Sequence, residues 1–265
     1  MTKTIKIRMA NPAGNTTSFV LDRCERSDYA SVAKSILSKD ELGAEQVAFV
    51  TGENSMEMCG QEFCGNASRA FALMCARSQG LGDAEGELVI PVKVSGADAE
   101  IKARVRPRDN YVEIDMPLPK STSKFEEEGV SGILVDLGGI MHLVLQDVLA
   151  DDELFNRIRK NISDEYDPPA IGVMFINGGL ITPIVYVKDV ESVYHEGSCA
   201  SGATAIAIAE SAGMPDGEYS HKAVMPEGSL DVKVHVDGGA VARVSIGSTI
   251  ELEEVCYREF FQNEE

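Results

Sequence analysis

The chain has 265 residues, of which 44% are hydrophobic and 25% charged, a composition that is ordinary for globular proteins. It carries 24 lysine and arginine residues against 43 aspartate and glutamate residues, and the resulting net charge of -19 would repel nucleic acid. No stretch approaches about 18 uninterrupted apolar residues, which excludes a helix that crosses a membrane.

The start of the chain and its cysteines predict a cytoplasmic protein. Residues 1–9 alternate polar and apolar side chains and lack the apolar core of a signal peptide. The six cysteines show no CxxC spacing, and a chain of this length does not need disulfides for stability. The four histidines are scattered, so no cluster of Cys and His has the spacing of zinc ligands. We therefore expect reduced thiols, no metal site, no nucleic-acid partner and no membrane association.

The first half of the chain predicts a mixed α/β unit. Apolar residues recur every three to four positions over 27–42, which predicts a helix there. A second helix is predicted from Cys64 to about Gln79, where glycines follow. Alternating or β-branched segments predict strands at 3–9, 19–21, 46–51, 88–92, 99–105 and 111–116.

The second half repeats this order. The predicted strands and helices are strands 132–135, 142–145, 173–176 and 184–187, a helix over 151–162 and a helix from Cys199 to about Ala212. A strand, a glycine turn and a further strand surround Gly96 in the first half and Gly228 in the second. These glycines follow Cys64 by 32 residues and Cys199 by 29, so the two halves are spaced alike.

This repetition predicts an α/β fold of two duplicated lobes, residues 1–120 and 121–265. Each lobe is expected to be a curved, mostly antiparallel sheet around a central helix, and the last strand is a candidate to cross back to the N-terminal lobe. Residues 117–132, rich in Ser, Lys and Glu, are predicted to link the lobes. A cleft between duplicated lobes is a common place for a ligand, so we expect the active site there.

Cys64 and Cys199 stand in matching contexts 135 residues apart. Small and polar residues follow each thiol and then an Ala-rich apolar run begins, a pattern typical of a cysteine at the N-terminus of a buried helix. The N–H groups and the partial positive charge of that terminus favour a thiolate, so we expect each pKa to lie below its usual value of about 8.5. The same N–H groups can hold a carboxylate.

Two thiols of this kind could act as a paired acid and base. If an amino acid binds with its Cα between them, one thiolate can remove the α-proton while the opposite thiol delivers another, which inverts the centre. Nothing in the sequence indicates a Schiff-base lysine with a phosphate-binding loop, so no cofactor is expected. A single cysteine at a helix start is usually a small core hydrophobe, and that interpretation applies to Cys24, Cys59, Cys75 and Cys256.

The chain resembles the diaminopimelate epimerase fold family of cofactor-independent amino-acid racemases and epimerases. The family's Cys-Gly-Asn-Gly and Cys-Gly-Thr-Gly motifs stand here as Cys-Gly-Asn-Ala at 64–67 and Cys-Ala-Ser-Gly at 199–202. The resemblance implies that Cys64 and Cys199 are catalytic and that the substrate is an amino acid. The residues it implies as substrate contacts are Asn15 and Gln46, with the backbone N–H groups of Gly65, Asn66, Ala200 and Ser201.

Departures from the family narrow the substrate. The segment at 57–60 lacks the Asn that binds the far end of diaminopimelate, and the Glu-Arg pair before the second cysteine is replaced by Tyr-His-Glu at 194–196. A second charged head group would therefore be buried without partners, at a high cost in free energy. The motifs are most similar to the histidine racemases of opine-metallophore pathways. In that case Glu45 or Glu196 is expected to hold an imidazole N–H.

Other interpretations stay open from the sequence. Within the enzyme class, the substrate could be another amino acid with a short or neutral side chain. A binding protein that keeps the fold without turnover would be expected to lose a cysteine, and both are present. A thiol redox sensor would require Cys64 and Cys199 to form a disulfide readily. A homodimer is one assembly that we consider alongside the monomer.

Overall fold

The chain folds into two compact units, one up to Ile114 and again from Gly247, the other Asp115–Ile246. The computed structural model describes residues 2–39, 42–127 and 129–261. The division at residue 120 that we predicted from the sequence lies after Ile114, and the return of the last strand to the first unit is the crossing that the sequence analysis considered. The first unit ends earlier, and the chain returns to it before its last strands, because those strands pair with the strand at the start of the chain.

The described part of the first unit contains two α-helices and most of nine strands. The helices are α1 (Tyr29–Leu37) and α2 (Gly65–Ser78). The strands are β1 (Thr2–Asn11), β2 (Thr17–Val20), β3 (Gln46–Gly52), β4 (Ser55–Met58), β5 (Leu88–Val94), β6 (Ile101–Arg106), β7 (Tyr111–Asp115), β17 (Glu251–Leu252) and β18 (Cys256–Phe261).

In the second unit, the residues that the structure describes form two α-helices and nine strands, of which the last runs on into the first unit. The helices are α3 (Asp152–Tyr166) and α4 (Ala200–Ser211). The strands are β8 (Ser121–Glu127), β9 (Val130–Asp136), β10 (Met141–Gln146), β11 (Ala170–Asn177), β12 (Leu180–Val187), β13 (Ser192–His195), β14 (Gly217–Met225), β15 (Gly228–Asp237) and β16 (Ala240–Thr249).

Strand pairing is duplicated between the units. In the first unit β1–β2, β3–β4 and β5–β6 are antiparallel, and β2–β3 and β4–β5 are parallel. In the second unit β9–β10, β11–β12 and β14–β15 are antiparallel, and β10–β11 and β12–β14 are parallel. Both parallel connections in each unit contain a helix, as a crossover between parallel strands requires. The chain is thus a mixed α/β, sheet-rich protein with an internal repeat.

The two helices of each unit have different surroundings. The apolar residues Val32 and Ile36 of α1 pack with β1, β2 and β3, and Phe155 and Ile158 of α3 pack with β9 to β12, so each helix buries one face. By contrast α2 is buried from Gly65 to Ala76, and α4 is buried along most of its length. Alanines fill both of these central helices, and small side chains allow strands to approach a helix on all sides.

Several boundaries correct the sequence-based predictions. The stretch 117–132, predicted to be a linker, contains β8 and the start of β9, which form an antiparallel hairpin. Its sequence reads as polar because, apart from Phe125, the side chains of β8 are not buried. The predicted helix over 27–42 is shorter, since α1 ends at Leu37. Among the described residues, no helix is both long and apolar enough to cross a membrane.

Candidate active site

Cys64 and Cys199 cap the two central helices in the same geometry. Cys64 precedes α2 with φ −123° and ψ 111°, and Cys199 precedes α4 with φ −124° and ψ 109°. The sulfur of Cys64 accepts a hydrogen bond from the Ala67 N–H at 3.4 Å, and that of Cys199 from the Gly202 N–H at 3.3 Å. The cysteine at the start of each central helix is therefore its N-cap, as the sequence predicted.

The direction of the thiol pKa shifts is opposite to our expectation. Burial raises the pKa of Cys64, and the N–H of Ala67 only partly opposes that rise. Burial raises the pKa of Cys199 well above its usual value, and the charge of Glu196 adds to the rise. The predicted lowering was wrong because removing a thiolate from water costs more than the helix N–H groups return.

A network of side-chain hydrogen bonds surrounds Cys64. The thiol donates to Gln46 Oε1 at 3.4 Å, and Gln46 Nε2 donates to Asn15 Oδ1 at 2.7 Å. Asn66 Nδ2 also donates to Asn15 Oδ1, at 3.1 Å, and Asn15 Nδ2 donates to Glu45 Oε2 at 2.9 Å. The structure thus brings together in the first unit all the site residues that the sequence predicted there: Asn15, Glu45, Gln46, Cys64, Gly65 and Asn66.

The turn before β2 places Asn15 in this network. Asn11 Oδ1 accepts from the Gly14 N–H at 2.6 Å and closes a local side-chain turn. Ala13 and Gly14 both have positive φ, of 66° and 89°, so the chain reverses tightly there. Asn15 is then buried, at 9% exposure, beside the first residue of β3. Burial of an amide is favourable only when its polar atoms are hydrogen-bonded, and those of Asn15 are.

Ser201, Met225 and Glu196 surround Cys199. Its sulfur lies 3.5 Å from Ser201 Oγ, which in turn lies 2.8 Å from His142 Nε2. The backbone N–H of Cys199 contacts Met225 Sδ at 3.0 Å. The charge of Glu196 acts on this thiol and raises its pKa. Glu196, Cys199, Ala200 and Ser201, the site residues predicted in the second half, therefore belong to one local cluster.

His142 supports Ser201 as a neutral imidazole. It is fully buried, and that burial lowers its pKa to about 3. Its Nδ1 atom has no hydrogen-bond partner in the described part of the chain, while Gly172 lies so close that a Cβ there would be 2.2 Å from this nitrogen. The structure thus places a buried, neutral imidazole in contact with the Cys199 cluster.

Comparison with known proteins identifies the family. A family model described as the histidine racemase CntK N-terminal domain matches residues 4–254. The chain belongs to the histidine racemase family. A histidine racemase from Fusobacterium nucleatum is 31% identical over 215 residues, which cover 74% of this chain and 77% of that protein. A histidine racemase from Staphylococcus aureus is 23% identical over 220 residues, covering 77% and 79%. The resemblance drawn from the motifs is thereby confirmed.

Solved structures show the fold that this histidine racemase family member shares. A hydroxyproline epimerase from Agrobacterium vitis, with trans-4-hydroxy-L-proline bound, matches with a TM-score of 0.65 at 11% identity, covering 96% of this chain and 92% of its own. A protein described as a predicted epimerase from Pseudomonas aeruginosa matches with a TM-score of 0.67 at 12% identity, covering 98% and 100%. At such identities the likeness establishes the architecture alone.

In this histidine racemase family member, sequence reasoning missed four described residues that act on the thiols or on the side chains around them. Thr17 accepts from Gln46 at 2.8 Å, Arg69 donates to Asn66 at 2.6 Å, and Met225 contacts the Cys199 N–H. The charge of Glu62 also contributes to the raised pKa of Cys64. Of these only Arg69 carried a signal, since a charged residue inside a run of small and apolar residues needs buried partners.

Proposed function

We propose that this chain interconverts L- and D-histidine, with Cys64 and Cys199 as the acid and base on opposite faces of Cα. The observation that carries the proposal is the identical N-cap placement of two thiols on two duplicated central helices, in a chain of the histidine racemase family. As part of this proposal, the substrate binds in the cleft that the sequence predicts between the two lobes. Its contacts are then Asn15, Gln46, Glu45 and Glu196, with the backbone N–H groups of Gly65, Asn66, Ala200 and Ser201.

The proposed reaction moves two protons and no other group. One cysteine thiolate takes the α-proton and becomes a thiol, and the opposite thiol gives its proton to the other face of the carbanion and becomes a thiolate. The enzyme therefore ends each turnover with its protonation states exchanged. A raised thiol pKa helps the first step, because a stronger base narrows the gap to the weakly acidic C–H. Donors on the substrate carboxylate stabilise the charge that develops, each by roughly 3–4 kcal/mol.

The proposal also sets the conditions in which the protein works. Both thiols must be reduced, and the structure shows none of the six cysteines, all of which it describes, in a disulfide bond. A reducing compartment such as the cytoplasm meets that need. One chain supplies both thiols, so a homodimer is not required for the chemistry and stays a prediction.

Deuterium exchange followed by proton NMR tests the function. L-Histidine is incubated with reduced enzyme in D₂O without added cofactor, and the expected result is loss of the Hα signal together with loss of optical rotation. A panel of other L-amino acids is run in parallel. Exchange of a different amino acid would keep the two-thiol reaction and overturn histidine as the substrate, whereas no exchange with any would favour a binding protein.

We expect Glu45 or Glu196 to contribute to the binding of histidine. If Glu196 or Glu45 holds the imidazole N–H, changing that residue to Gln should lower kcat/KM for histidine roughly tenfold, the worth of a hydrogen bond to a charged group. Glu210→Gln is the control, because this carboxylate interacts with His221 away from the cysteines in sequence and contacts. Unchanged kinetics in both Glu45→Gln and Glu196→Gln would show that neither residue binds the imidazole.

The pH dependence of racemisation should report the raised thiol pKa. Only the enzyme with one thiolate can remove the α-proton, and burial shifts that thiolate to higher pH. Below the raised pKa, kcat/KM should therefore rise with pH, approaching tenfold per unit. Initial rates between about pH 7 and pH 8.5 check this. A flat profile would mean that the thiolate forms with a lowered pKa.

A further inference from the structure

We propose that Arg69 is a positioning residue of the Cys64 half-site. It fixes the direction of a chain of side-chain amides, so that the amide oxygen of Gln46, and not its N–H, faces the thiol. As a role in racemisation this rests on the proposed function, but as a property of the Cys64 thiol it can be tested without turnover.

Arg69 is a buried cation at the start of α2. It is fully buried, and its guanidinium donates to Asn66 Oδ1 at 2.6 Å and to the Pro12 carbonyl at 3.3 Å, with a further contact to Ser248 Oγ. An arginine side chain has five N–H donors and no acceptor, and it stays protonated in proteins. Whatever faces it must therefore accept, which leaves one orientation for the Asn66 amide.

That orientation is passed along the chain of amides. With its oxygen held by Arg69, Asn66 has only its Nδ2 donor left, and this group meets Asn15 Oδ1 at 3.1 Å. Asn15 must then present its oxygen on this side and its Nδ2 on the other, where Glu45 Oε2 accepts at 2.9 Å. An ionised carboxylate only accepts, so donor and acceptor match at both ends of the chain.

Arg69 is the firmer of the two ends. Glu45 is solvent-exposed, so water can replace its contact with Asn15, whereas Arg69 is fully buried and water cannot readily replace it. The Asn15 oxygen also accepts from Gln46 Nε2 at 2.7 Å, and the same nitrogen donates to Thr17 Oγ1 at 2.8 Å. Because these two hydrogen bonds occupy both N–H donors of Gln46 Nε2, Gln46 Oε1 is the atom that points to Cys64 Sγ, at 3.4 Å.

The orientation of the Gln46 amide determines whether Cys64 is favoured as a thiol or as a thiolate. An amide oxygen accepts a hydrogen bond from S–H and gives nothing to a thiolate, so it favours the protonated thiol. If Gln46 could turn its amide over, its N–H would face the sulfur and would stabilise the thiolate instead. Arg69 therefore holds Cys64 as a proton donor until the substrate, or a movement of Gln46, replaces that contact.

Alkylation of Cys64 tests this role. Iodoacetamide modification of the intact chain is followed against pH and read at the Cys64 peptide by mass spectrometry. In Arg69→Met the Gln46 amide is released, and we expect the midpoint of the Cys64 profile to move down by about one pH unit, with roughly tenfold faster modification below it. Arg69→Lys keeps a cation that only donates, and it should restore the wild-type midpoint.

The controls separate positioning from stability. Arg77→Met removes a second arginine of α2, which donates to Asn110, and should leave the midpoint unchanged. Asn66→Leu removes the amide that connects Arg69 to Asn15, without adding charge, and should lower the midpoint by the same amount. The test therefore stands even if Arg69→Met does not fold. Faster alkylation at every pH with an unmoved midpoint, in variants that keep their circular dichroism, would show that Arg69 only stabilises the fold. Failure of the racemase proposal would not alter this readout.

Discussion

Replacement of either Cys64 or Cys199 with alanine should lower the rate of histidine racemisation by at least about 10³-fold. Each thiol acts as the base for one enantiomer and as the acid for the other, so neither direction can proceed with one thiol missing. General acid–base groups typically contribute about 10² to 10⁴-fold each, and here both are needed in every turnover. The D₂O assay with L- and D-histidine measures the loss. Cys75→Ala is the matched control, because Cys75 is a buried cysteine of the same helix as the Cys64 cap.

The two serine variants should differ in a way that identifies a two-base reaction. In Cys199→Ser the thiolate of Cys64 can still remove an α-proton and return deuterium to the same face, so the Hα of one enantiomer should exchange slowly without inversion. In Cys64→Ser the other enantiomer should exchange. If both variants exchanged the same enantiomer, a single base would serve both directions and the paired roles of Cys64 and Cys199 would be wrong.

The cysteine caps were predictable because their signal is local. A thiol followed by small polar residues and an alanine run specifies an N-cap and a buried helix with no help from the rest of the chain. The contacts of Asn15 and Gln46 were not predictable from spacing, since these residues join through the pairing of β2 with β3. Only the family resemblance placed them in the site before the structure was known.

Two failures of prediction have a common cause, which is burial by distant segments. The sign of the thiol pKa shifts depends on how much water the whole fold removes from Cys64 and Cys199. The sequence around each cysteine indicates only the helix N–H groups, which lower the pKa. Arg69 likewise stood out in the sequence only as a charged residue inside a run of small and apolar residues, a signal that does not identify its partners. Its contact with Ser248, 179 residues away, exists because the chain returns to the first unit at its end.

Changing Gly96 to alanine should cause a large loss of stability. Gly96 has a φ of +70°, and a Cβ there would lie 2.2 Å from the Phe63 backbone nitrogen and 2.6 Å from the Glu62 carbonyl carbon. These are backbone atoms of the segment that leads into Cys64, so no side-chain rotation relieves the clash. We expect the free energy of unfolding to fall by about 3 kcal/mol, measured by urea denaturation.

Gly86→Ala provides the comparison that isolates the clash. Gly86 has a similar φ of +79°, but among the described residues no atom beyond its chain neighbours lies within 4 Å of the position that the alanine Cβ would occupy. Alanine there should therefore cost only the left-handed strain of about 1 kcal/mol. Gly96→Ala should also lower kcat about 10²-fold, because Ser95 holds the same segment through Glu62 O at 2.9 Å and a shift of Phe63 displaces the adjoining thiol. Equal losses of stability in the two variants, with kcat unchanged, would mean that the approach to Cys64 adapts to the added methyl group. The turn at Gly96 would then support only the sheet, and the position of Cys64 would depend on the helix that it caps.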